Sequence, residues 1–180
     1  MINIDDLFIV NYCHANCMPL KNIMRLNKEE AFSFASQIAK ENSGKTAFWR
    51  FADFINYYPR RIEADAYLYR KFVELSGKPK ELHPLSFVLH GSDYLNGWFD
   101  NGTINRILLR DVPDHAVSFT LGDSMRSSKE EQLTVYTKQT LHQLMEQHSD
   151  YDIESFISEM TNNVYIEVQL WDDDCLRYCI

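Results

Sequence analysis

The 180-residue chain is 45% apolar and 13% aromatic with only 6 glycines and 5 prolines, a supply of core side chains that excludes wholesale disorder. Its formal charge of −8 argues against a broad nucleic-acid surface or an anionic-membrane surface. The opening MINIDDLFIV is acidic where a secretory leader is basic, and no apolar run approaches the roughly 20 residues of a membrane span, so a cytoplasmic protein with no membrane partner is expected.

Read in chain order, residues 7–13 (LFIVNYC) form a first strand, and Pro19 opens a helical turn through Leu20, Ile23 and Met24. Asn27 caps a helix whose apolar face is Ala31, Phe32, Phe34, Ala35, Ile38 and Ala39, ended by Ser43 and Gly44. A third helix carries Phe48, Phe51, Ala52 and Ile55 until Pro59 stops it, and a fourth runs from about 61 to 75. Beyond Pro79 the period changes. Residues 85–90 read as a strand, 93–99 as a helical turn, and Asn101-Gly102 as a turn into an alternating segment, together a hairpin-like passage. Residues 116–121 form another strand, and 122–131 have the composition of a mobile surface loop. Helices at 137–147 and 152–161 follow, and NVYIEVQLW and CLRYCI close the chain as two strands. The expected fold class is α+β, with N-terminal helices packed on a small, mainly antiparallel sheet. One compact domain, 1–180, is helix-rich to residue 80 and strand-rich from 81.

Several motifs carry weak chemical signals. Cys13-x3-Cys17 and Cys175-x3-Cys179 invite a four-thiolate zinc site, but two sulfurs four residues apart on a strand lie about 13 Å apart, which favours reduced thiols with no metal. Gly44-Lys45-Thr46 spells the end of a phosphate-binding loop, yet Ala39 replaces the first glycine and a helix precedes it, so it reads as a helix-to-helix turn. Arg60-Arg61 follows an aromatic run from Phe48 to Tyr58 whose helical spacing marks it as core. The histidines at 14, 83, 90, 115, 142 and 148 lack metal-ligand spacing, and His142 and His148 read as solvent-exposed helix residues.

The most informative constellation joins three strand-associated segments. Leu89-His90-Gly91-Ser92 ends a strand, Val117-Ser118-Phe119 lies inside another with Ser124 following it, and Glu167 sits in a late strand that runs on to Trp171 and Asp172. This order resembles the ADP-ribosyltransferase superfamily, in its branch with a His, aromatic and Glu trio. The resemblance covers about half the chain, from 85 to 180, as short islands. It implies NAD as a substrate held in a cleft between two small antiparallel sheets. His90 would then grip a ribose hydroxyl, Gly91 and Ser92 the nicotinamide amide, and Ser118 and Phe119 would flank the ring, where the family usually has tyrosine. A variant of the same resemblance places the first motif at His14, which ends the first strand ahead of a Leu20–Met24 helix.

The chemistry stands without the family name. Breaking the nicotinamide–ribose bond leaves an oxocarbenium-like sugar, so a carboxylate such as Glu167 beside it stabilises the developing charge. A flat ring and a backbone amide orient the leaving group. Two rivals remain at this point: a non-catalytic protein-interaction or regulatory domain with an unknown partner, suggested by the aromatic content, and a zinc-stabilised binding module.

Overall fold

Short apolar runs become strands, and the computed structural model, which describes residues 2–125 and 133–180, joins them in one antiparallel sheet. The strands are β1 (Phe8–Cys13), β2 (Leu85–Leu89), β3 (Thr103–Leu108), β4 (Val117–Leu121), β5 (Val135–Tyr136) and β6 (Ile166–Leu170), in the spatial order β3-β1-β2-β6-β4-β5. The helices are α1 (Lys28–Glu41), α2 (Trp49–Ala52), α3 (Phe54–Glu74), α4 (Asp93–Trp98), α5 (Lys138–Gln147) and α6 (Ile153–Thr161). The fold is α+β. Among the described residues no helix is long and apolar enough to cross a membrane.

Side chains alternate across the sheet, so each strand serves two environments. One face, with Ile9, Phe87, Phe119 and Val168, is closed by Leu141 and Met145 of α5 and Phe156 of α6. The other face contains a register row in which Val10, Val88, Glu167, Thr120 and Val135 are paired in succession. Helix α3 covers part of this face: Leu68 and Phe72 pack with Trp171, the Phe72 and Trp171 rings stacking at 5.9 Å. Leu95 of α4 packs with Val10 and Val88. A separate helical core gathers Ala31, Ala35, Ile38, Phe48, Phe51 and Phe54.

The sheet has a seam. β1 pairs with β3 over six residue pairs but with β2 only at Ile9↔Leu89 and Val10↔Val88. Beyond Val10, side chains take over the hydrogen bonding at β2 and the segment entering it. Asn11 Nδ2 donates to Ser86 O at 3.0 Å, Asn22 Nδ2 to Pro84 O at 2.7 Å, and Arg25 Nε to His83 O at 2.8 Å. Backbone acceptors that a neighbouring strand would have satisfied are thereby not left orphaned. Ser86, in the middle of an otherwise buried strand, is exposed.

Several expectations are revised. Pro59 lies inside α3 instead of ending a helix. The carbonyl it leaves without a helical donor belongs to Ile55, which is 71% exposed, so water can serve it while Phe54, Leu68 and Phe72 stay buried. The passage after β2 is no hairpin, because β3 pairs with β1 while β2 lies between β1 and β6. The final segment is a 3-10 helix, Asp173–Tyr178, started by Asp172, whose Oδ1 accepts from Asp174 N at 2.9 Å. Only Ile180 reaches the sheet edge, exchanging backbone bonds of 2.9 and 3.0 Å with Arg106. The two sheets expected around a cleft are one sheet divided by the seam. His142 and His148 are half-buried, the latter packed edge-on against Phe156. Of the loop expected at 122–131, residues 126–131 lie outside the described residues.

Lys138 ties the start of α5 to the turn after β3. Its buried ammonium donates to Leu109 O and Val112 O, both at 2.9 Å, with Asp5 and Asp114 oxygens at 3.2 and 3.1 Å. Lys138→Met leaves the buried Leu109 and Val112 carbonyls without their donor, while water takes up the exposed Asp5 and Asp114 carboxylates. The expected cost is about 2 kcal/mol, read as a lower urea midpoint at unchanged slope.

Candidate functional site

Helix α3 places Arg61, Asp65, Leu68 and Phe72 on one side, because residues spaced by three, four and seven share a helical face. Two of these are charged and buried, and they meet the sheet at Glu167. Ser124 holds the Glu167 carboxylate twice: its N–H donates to Oε2 at 2.7 Å and its hydroxyl to Oε1 at 3.0 Å. Arg61 Nη1 lies 3.4 Å from the same hydroxyl, and Nη2 forms an ion pair with Asp65 Oδ1. The other Asp65 oxygen accepts from His83 Nδ1 at 2.6 Å. Burial pushes the Glu167 carboxyl above the usual glutamate range, and Asp123 adds to that; Arg61 and the Ser124 bonds act against it. For Arg61, burial opposes the charge but the carboxylates of Asp65 and Glu167 outweigh it and hold the proton more firmly. The polar row continues along β4 and β6. Trp171 Nε1 donates to Ser118 Oγ, Ser118 Oγ to Gln169 Oε1, and Gln169 Nε2 to Thr120 Oγ1, at 2.8, 2.8 and 3.1 Å.

A second polar concentration follows β1. An open cleft of about 480 Å³ is lined by His14, Gly44, Lys45, Tyr94, Trp98 and Asp100, among others. His14 is 3% exposed, and its Nδ1 accepts from Asn16 N at 3.0 Å, which puts the ring hydrogen on Nε2. That nitrogen donates to Asp100 Oδ2 at 3.3 Å, and Lys45 Nζ lies 3.6 Å from the same oxygen. Trp98 meets Tyr94 and Trp49, each at a ring separation of 6.0 Å. The floor depends on Gly102: a Cβ there would stand 2.2 Å from Cys13 O and 2.9 Å from Ala15 N. Only glycine lets the 100–102 turn come this close to the backbone on either side of His14.

The remaining candidates are dispersed. His90 is exposed at φ +63°, its N–H bonded to Phe8 O at 2.8 Å and its ring 4.0 Å from Glu154 of α6. Gly91 passes over Tyr12, and Ser92 N donates to Tyr12 Oη at 2.8 Å while Ser92 Oγ caps α4. Among the described residues no hydrogen bond or ion pair joins His90 or His14 to Glu167. Phe119 is fully buried on the face opposite Glu167, and Ser118 is fully buried beneath Trp171. The flat wall expected from Phe119 is therefore not presented to the Glu167 side.

Sequence reasoning passed over Asp65, set Arg61 and His83 aside, and named Ser124 only for its place after the Ser118 strand. The available signal was a charged pair four residues apart on the apolar face of a helix. Gly44-Lys45-Thr46, read as a turn, does connect two helices and also contributes to the cleft. Cys17 packs with the helical core and Cys175 with the sheet core, and among the described residues no group of three or more His, Cys, Asp or Glu could hold a metal. Comparison with protein-family models, curated proteins and solved structures finds no match to this chain.

The raised Glu167 carboxyl has a thermodynamic consequence. The folded chain binds this proton more tightly than the unfolded chain, so stability falls as pH rises from about 4.5, the unfolded value, through the higher folded one. Glu167→Gln removes that contribution. Melting temperature followed from about pH 4.5 to about 8 should show the variant gaining on the wild type as pH rises, and parallel curves would contradict the assignment.

Proposed function

We propose that this chain is an NAD-binding enzyme that transfers ADP-ribose or hydrolyses NAD, with the dinucleotide on the Glu167 face across the seam between β1 and β2. One observation carries the reading: Ser86 is exposed in mid-sheet beside the seam, and it shares a sheet face with Glu167 on the adjacent strand. Solvent reaches this face at Ser86, while Glu167, 5% exposed, is held in place by Ser124.

In this reading the C1′–N bond to nicotinamide breaks with its electron pair leaving on the ring nitrogen. Ionised Glu167 stabilises the cationic sugar that remains, and a hydroxyl nucleophile or water adds to C1′ and loses a proton. His14, an Nε2–H donor across the seam, grips a ligand oxygen in place of Asp100, and Trp98 with Tyr94 supplies the flat wall. Because the Glu167 carboxyl is raised, turnover should climb with pH as it ionises.

The test is a thermal shift with NAD on the wild type, Glu167→Gln, His14→Ala and His90→Ala, beside nicotinamide release. NAD at a hundred-fold excess over Kd should stabilise the wild type by about 2.7 kcal/mol. Glu167→Gln should keep most of this shift and lose release by about a hundred-fold, and His14→Ala should weaken the shift. Loss with His90→Ala alone would move the grip to that residue. No shift with any protein removes the reading.

An exposed aromatic run favours a second reading, a protein-interaction domain. Trp49 is 59% exposed and Tyr94 52% exposed, and both rings pack on Trp98.

A further inference from the structure

β1 ends at Cys13, and the chain turns at once: Cys17 N donates to His14 O at 2.9 Å. Such a reversal brings residues four apart toward the Cα separation of about 4.4–6.8 Å that a disulfide requires. The buried Cys13 thiol donates to His14 O at 3.5 Å, the same carbonyl that accepts from Cys17 N, so both cysteines converge on one acceptor. Cys17 is only partly buried, at the border of the helical core, so small reagents can reach it. Gly102 backs Cys13 and Ala15, which limits the ways the turn can relax.

The chain contains its own contrast. Cys175 and Cys179 have the same spacing, but Cys175 lies in the 3-10 helix Asp173–Tyr178 and Cys179 caps its end. At about 120° and 2 Å per residue, positions four apart on such a helix point in different directions, about 8 Å apart along the axis. Burial raises both of these thiols, Cys175 to about 11.

We propose that Cys13 and Cys17 are a reactive thiol pair that hydrogen peroxide converts to an intramolecular disulfide. The inference is independent of the NAD reading. Cys17 is the attacking thiol: its sulfur bonds to a peroxide oxygen, the O–O bond breaks, and hydroxide leaves and takes up a proton, giving Cys17 sulfenic acid and water. Cys13 loses its proton and displaces the sulfenic hydroxyl, forming the S–S bond and a second water. Two thiols are oxidised by two electrons while one peroxide is reduced. The groups that act on Cys17 support this order. The neighbouring Cys13 side chain lowers its thiol, partial burial opposes this, and Arg50 lowers it further, leaving it at about 7, whereas Cys13 is raised.

The experiment treats the folded full chain with one equivalent of hydrogen peroxide, blocks free thiols after denaturation, and maps the peptides by mass. The expected product is about 2 Da lighter, with Cys13 joined to Cys17 and with Cys175 and Cys179 still free. Absence of the Cys13–Cys17 bond, or equal oxidation of Cys175 and Cys179, overturns the proposal. In Cys13→Ser, Cys17 should stop at a sulfenic acid that dimedone traps; a dimedone-silent folded variant counts against it. If that variant does not fold, the wild type still decides. Alkylation of Cys17 should be half-maximal near pH 7 and at least tenfold faster there than at Cys179, and comparable rates at the two sites overturn it.

Discussion

One buried guanidinium stands between two buried carboxylates, and much of the Glu167 face is arranged around that imbalance. Arg61 can neutralise one negative charge fully, and its ion pair goes to Asp65, one helical turn away on α3. Glu167 lies on the sheet opposite and receives the field of Arg61 without its direct bond, so Ser124 supplies hydrogen bonds instead. The proton affinity of Glu167 rises because burial is compensated only in part. Asp65, having given one oxygen to Arg61, uses the other to orient His83 just before β2. One helical face thereby fixes groups on β6, the segment after β4 and the entry to β2. Breaking such a buried pair costs more than the pair contributes, which makes α3 and the sheet mutually dependent.

The elements governed by local rules were legible in the sequence. Helix α1 follows from Asn27, whose side chain accepts from Glu30 N, and from Ala31, Ala35 and Ile38 recurring on one face. Strands β4 and β6 follow from apolar residues alternating with Ser118 and Thr120 or with Glu167 and Gln169, and β2 follows from a short apolar run interrupted by Ser86. Pro59 misleads because its cost depends on whether the freed carbonyl faces water, which is a property of the tertiary structure. CLRYCI misleads because two cysteines and a leucine look like a strand, while three consecutive aspartates before them start a 3-10 turn.

The candidate site was legible in part, for a related reason. Glu167 stands out as a carboxylate within an apolar strand, and His14 as a histidine at a strand end. Arg61, Asp65 and His83 acquire meaning only when α3 is laid on the sheet, since 106 residues separate Arg61 from Glu167. Phe119 shows the opposite failure. An aromatic inside a strand has two faces to choose from, and one position of register decides between the core and the Glu167 side.

The seam bears on solubility as well as on ligand access. A strand that loses its neighbour mid-sheet ordinarily presents a row of bare carbonyls and amides, a template on which another chain can build. Here Asn11, Asn22 and Arg25 occupy acceptors along the opened side of β2 and its approach. An incoming strand would have to displace three side chains, one from β1 and two from the 22–25 turn, to reach these acceptors. The molecule can keep a gap in its sheet without offering that gap to other copies of itself.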